Sequence, residues 1–138
     1  MKDVVFLGSN PARCSNSIEP FANCKSGVTL KEEWIPKLGI NNFTIMNVSN
    51  YATPNNKPLS TSVIEQEIPR LLSLLQNKIV IALGRQALQA VNLCKSRGLI
   101  CEVIDLPHPS KRNRINNDPA IVDKILKEAR IRLNTLLN

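Results

Sequence analysis

The sequence predicts an α/β protein, a three-layer α/β/α sandwich with a central four-stranded parallel sheet, in a single domain over residues 1–138. Three observations carry that expectation. Short, wholly apolar runs such as Val4 to Leu7 and Ile79 to Leu83 have the composition of strands covered on both faces, as parallel strands are. Segments of helical periodicity separate such runs, and strand–helix alternation requires parallel neighbours joined by right-handed crossovers. With 138 residues, 43% of them apolar, the chain buries a core without staples.

The elements follow in order. Val4 to Leu7 is a strand closed by Gly8, and residues 9–27 read as loop. Thr29 to Leu38 has Leu30, Trp34 and Leu38 at helical spacing, with Pro36 opposing its second half. Phe43 to Val48 is the second strand. After the polar stretch Ser49 to Ser60, Ser62 and Glu65 have the spacing of a capping box. The helix they open carries Ile64, Ile68, Leu71, Leu72 and Leu75 as its apolar stripe, with a kink expected at Pro69.

Lys78 to Leu83, ended by Gly84, is the third strand. Arg85 to Ser96 is helical, Arg97-Gly98 breaks it, and Leu99 to Leu106 is β-branched enough for the fourth strand. Asp118 caps the last helix and Pro119 opens it. Ile121, Ile125, Ala129, Leu133 and Leu136 are its expected buried face, with Lys124, Lys127, Arg130 and Arg132 turned elsewhere as a solvated face.

Composition narrows the function classes. Lys plus Arg exceed Asp plus Glu by 7, which favours nucleic acid or another polyanion as partner. The four cysteines (Cys14, Cys24, Cys94, Cys101) form no Cys-x-x-Cys pair, and the N-terminus has no secretory run, so a reduced intracellular location is expected. Cys94 is expected to pack as a small apolar residue. No apolar run nears the roughly 20 residues of a bilayer span, so no membrane role is expected. Leu83-Gly84-Arg85 lacks the spacing and Lys of a phosphate loop, and the pattern of a zinc deaminase is missing.

Two strand ends carry the candidate chemistry. His108, the single histidine, lies in Leu106-Pro107-His108-Pro109-Ser110-Lys111-Arg112-Asn113-Arg114, where a strand runs through a rigid turn into polar and basic side chains. Gly8-Ser9-Asn10-Pro11-Ala12 delivers Asn10 from the first strand in the same way. Open α/β sheets collect functional groups at the carboxyl ends of their strands, so the two segments are expected to face one crevice. Taken alone, Asn-Pro after a strand is a common turn and a lone His a common surface group. Asn47 is harder to dismiss, because a buried amide within Phe43 to Val48 must find partners.

Together these segments resemble the uracil-DNA glycosylase superfamily, in order and over nearly the whole chain. Gly8-Ser9-Asn10-Pro11-Ala12 is similar to its first motif in the mismatch-specific and single-strand-selective branches, and His108-Pro109-Ser110-Lys111-Arg112-Asn113 to its second. Phe43 to Val48, the capped helix, Ile79 to Ala87 and Glu19-Pro20-Phe21-Ala22-Asn23 are similar to the iron-sulfur branch.

The resemblance implies a glycosylase-like fold and a monomeric DNA glycosylase that hydrolyses the N-glycosidic bond of uracil or a 5-modified uracil. It implies that Asn10 positions the attacking water and that neutral His108 donates to the departing base. Phe21 would stack on the extruded base and Asn47 would read its edge, with Gly8, Ser9 and Ala12 lining the base site. Ser110, Lys111 and Arg114 would contact DNA phosphates, and Arg112 would wedge into the stack. Ala12 stands where uracil-restricted members have a bulky Tyr, so larger 5-substituents are expected to enter. The cysteine that the iron-sulfur branch needs after the second strand is missing from Asn50-Tyr51-Ala52-Thr53-Pro54, so no cofactor or metal is expected. Asn10 replaces the Asp of the fastest branch, which implies slower chemistry. Two rival readings remain: a weak or inactive member serving as a DNA- or protein-binding factor, and an α/β enzyme acting on free nucleosides or nucleotides.

Overall fold

The computed structural model describes residues 2–10, 25–51, 53, 57–110 and 114–138. Four strands, β1 (Val4–Gly8), β2 (Phe43–Asn47), β3 (Ile79–Leu83) and β4 (Glu102–Leu106), pair in parallel in the order β2-β1-β3-β4. The chain leaves β1 for β2 on one side and then crosses to β3 on the other. Ligands of open α/β sheets bind where the order reverses in this way, beyond the carboxyl ends of the strands.

Alternation along the strands builds two cores. Val4, Phe6, Ile79, Ile81, Leu83, Ile104 and Leu106 face one layer of helices, and Val5, Leu7, Val80 and Ala82 face the other. The first layer holds α1 (Lys25–Val28), a π-helical stretch Thr29–Trp34, α2 (Ile35–Leu38) and α5 (Pro119–Leu137). The second holds α3 (Thr61–Leu75) and α4 (Arg85–Lys95). The expected sandwich is the observed one. Cys94 is fully buried in the second core, as its apolar character predicts.

Several boundaries differ from the sequence expectation for identifiable reasons. Helix begins at Lys25, inside the segment read as loop, and Leu30, Trp34 and Leu38 are all buried. Pro36 does not end it. Ile35 N–H reaches back to Leu30 C=O in a π-type bond, and Pro36 then sits in the first turn of α2, where a missing donor costs little. Gly39 closes the segment in the left-handed region at φ 71°, its N–H on the Pro36 carbonyl.

Ser60, not Ser62, caps α3: its side chain accepts from Val63 N–H at 3.2 Å. Glu65 pairs with Arg97 instead, and the helix continues through Pro69. Leu99 to Cys101 precede β4 rather than belong to it. Their backbone is drawn off by turns, with Leu99 N–H on Cys94 C=O and Asn77 N–H on Ile100 C=O. Asp118 caps α5 as expected, accepting from Ala120 and Ile121 N–H. The buried stripe of α5 is Leu126, Ala129 and Leu133 with Val122 partly covered, and Ile121, one position off that stripe, is 44% exposed.

Candidate active site

Pairing between β1 and β2 outlasts the strands. Val48 N–H donates to Gly8 C=O and Ser49 N–H to Ser9 C=O, both at 2.9 Å, so the loops that follow are stitched together. Asn10 is then held by its side chain. Its Oδ1 accepts from Ser9 Oγ at 3.1 Å, and its Nδ2 makes long contacts to Tyr51 C=O (3.5 Å) and Thr53 Oγ1 (3.4 Å). Thr53 is itself anchored on Lys57 C=O.

Asn47 pairs in register with Gly8 at the end of β2 and is 2% exposed. Its Nδ2 has no hydrogen-bond partner among the described residues. A buried amide without a partner costs about 1–3 kcal/mol. The backbone around it is fixed from α3: Arg70 Nη2 donates to the Asn47 and Val48 carbonyls (3.1 and 2.6 Å), while its Nε pairs with Glu67.

On the other side, β4 delivers His108. Gly84, with φ 93°, donates to Leu106 C=O at 2.8 Å, and a Cβ placed on it would lie 3.1 Å from His108 Cβ. Only glycine lets β3 come this close to the turn. Ser110 N–H donates to His108 Nδ1 at 3.2 Å, which leaves the proton of the neutral ring on Nε2. Burial pushes the imidazole pKa below its ordinary value, so the neutral ring is favoured. Asn116, in the 3-10 turn Arg114–Asn117, donates through Nδ2 to the carbonyls of His108 (2.6 Å) and Ser110 (2.7 Å).

Register puts these groups on one edge. Leu7 pairs with Ala82 and Ala82 with Asp105, and Asn10 and His108 each stand three residues beyond that row. Their strands are two spacings apart, about 10 Å, with β3 between them. A cavity of about 730 Å³ touches His108. It lies on the outer side of β4, between α4 and α5, and is lined by Arg85, Leu88, Ile104 and Ala129 rather than by Asn10 or Asn47. The expected crevice is thus not this cavity. Arg114 is exposed beside the turn. Ala12, Phe21, Lys111 and Arg112 lie outside the described residues, as do Cys14 and Cys24.

Arg70, Gly84 and Asn116 are the site residues that sequence reasoning missed. Asn116 sits in Asn116-Asn117-Asp118-Pro119, which reads only as a helix start, and Arg70 lies in the helix after Pro69 with nothing in the sequence to single it out. Among the described residues, no three His, Cys, Asp or Glu side chains gather as a metal site. Cys94 and Cys101 are free thiols, one buried and one half-buried, and burial raises the pKa of both. No helix of the described residues is long and apolar enough to cross a membrane.

The parallel sheet thus presents two amides and an imidazole at its carboxyl edge, the edge at which open α/β sheets bind ligands. The family model for the uracil DNA glycosylase superfamily matches residues 1–130, and the chain belongs to that superfamily. A uracil-DNA glycosylase-like function follows at the family level, with DNA as the partner class. Among curated proteins no match is found.

Proposed function

We propose that this protein hydrolyses the N-glycosidic bond of uracil or a 5-modified uracil in DNA and leaves an abasic site. The observation that carries the reading is the setting of His108: half-buried, its pKa pushed down by that burial, with Nδ1 accepting from Ser110 N–H, which puts the proton of the neutral ring on Nε2. As the C1′–N1 bond breaks, its electron pair passes to the base, and negative charge grows on the base oxygens. A preorganised Nε2–H aimed at O2 stabilises that charge. Water adds at C1′, oriented by Asn10, and loses its proton to solvent or the departing base.

Asn47 supports uracil as the substrate. Its side chain offers an acceptor and a donor without a partner among the described residues, which complement uracil N3–H and O4 and mismatch the reversed edge of cytosine. Phe21 is proposed as the stacking ring, with Gly8, Ser9 and Ala12 around the base. Ser110, Lys111 and Arg114 are proposed phosphate contacts and Arg112 the wedge. The base reaches such a site only after leaving the stack.

The test is excision from oligonucleotides carrying uracil, 5-hydroxymethyluracil or thymine, followed by alkaline scission. His108→Ala and Asn10→Ala should each lose about 3 kcal/mol of transition-state stabilisation, roughly a hundredfold in rate or more, while remaining folded. No scission of any of the three by the unaltered protein overturns the reading. Tight DNA binding without scission would instead identify a binding factor, and release of uracil from free deoxyuridine a nucleoside hydrolase.

A further inference from the structure

We infer that Asn116 is a positioning residue, whose carboxamide holds the turn bearing His108 at a fixed place on the sheet edge. Few of the turn's own backbone donors point inward. Pro107 and Pro109 have no backbone N–H, and the Ser110 N–H is used on the imidazole Nδ1. Asn116 supplies donors to two of the turn's carbonyls from one nitrogen, to His108 C=O at 2.6 Å and Ser110 C=O at 2.7 Å. These two bonds straddle Pro109 and fix the backbone on either side of it.

The base of this support is rigid. Asn116 is 7% exposed and sits in a 3-10 turn that leads through the capping Asp118 into the 19-residue helix α5. Across the turn, the Gly84 backbone packs on His108 Cβ, so the His108 backbone and Cβ are held from two sides by different elements. Asn116 Oδ1 is buried without a partner among the described residues. An apolar side chain would fill the same space without that penalty but would supply neither of the two bonds to the turn. Asn116 also lies outside the segments that resemble the family motifs.

The role in catalysis rests on the proposed function; the role in holding the ring does not, and the experiment separates them. His108 is the only histidine, so nitrogen NMR of protein labelled in histidine reads one imidazole. In the unaltered protein the shifts should report one dominant tautomer, with the proton on Nε2. Asn116→Ala should move them toward the tautomer mixture of a mobile ring, and Asn116→Ser, which keeps one donor, should fall between. On a uracil-containing oligonucleotide, Asn116→Ala should lower the single-turnover rate by up to about a hundredfold while Kd for DNA changes little.

Nitrogen shifts of the ring unchanged in a folded Asn116→Ala overturn the inference, even if thermal stability falls. If that variant does not fold, Asn116→Ser is judged by the same two measurements. A displaced tautomer in a protein that excises nothing removes the glycosylase reading and leaves the positioning role standing.

Discussion

The hydrogen bond from Ser110 N–H to His108 Nδ1 decides which end of the imidazole donates, and burial decides over what pH range it does so. In the proposed reaction the donor form is the neutral ring. Because the folded-state pKa lies below the ordinary value of about 6.5, excision should persist as pH falls past 6.5 and decline only through the lower folded value. Single-turnover rates against pH check this; a rate already halved at or above 6.5 contradicts it. The unfolded chain takes up this proton first, so His108's contribution to stability is intact above about 6.5 and is lost as pH falls from there to the folded value. Gly84 constrains the same ring. Gly84→Ala puts a Cβ 3.1 Å from His108 Cβ and forces φ 93° on an L residue. It should cost about 1–3 kcal/mol in urea unfolding, and should slow excision beyond that by displacing the imidazole.

Among the elements, α3 shows how a local signal can be right in kind and wrong in place. Its cap is Ser60, whose Oγ receives Val63 N–H, while Ser62 is exposed in the first turn. Ser60→Ala should therefore destabilise by about 1 kcal/mol, whereas Ser62→Ala should change stability by less than about 0.5 kcal/mol. Thermal or urea unfolding of the two variants separates them. The covered strands β1 and β3 were legible because apolar side chains on both faces leave a continuous run. The start of β4 was not, since Leu99 to Cys101 are equally apolar yet their backbone groups go to Cys94, Gln76 and Asn77. Asn10, Asn47 and His108 were legible as polar groups at strand ends. Arg70 and Asn116 were not, because each acts on carbonyls of another element, and no side-chain pattern records where a backbone carbonyl will point.

At the scale of the whole molecule, the excess of 7 positive charges is informative only through its placement. Two cations are engaged away from the carboxyl edge: Lys78 with Asp3 and Arg97 with Glu65. Lys78 immediately precedes β3, at the opposite edge of the sheet from His108. Arg114 is exposed in the 3-10 turn whose Asn116 holds the His108 loop, so a DNA backbone following the edge passes beside it. Each phosphate contact made by Lys or Arg releases condensed counterions, and the salt dependence of binding counts such contacts. Arg114→Ala should weaken binding to a uracil-containing oligonucleotide and reduce the slope of log K against log salt by about 1. Lys78→Ala removes the same formal charge and should leave that slope unaltered. Titrations at several salt concentrations decide the matter: equal slope changes in the two variants would mean that DNA senses only net charge, and that the carboxyl edge of the sheet does not bind the strand.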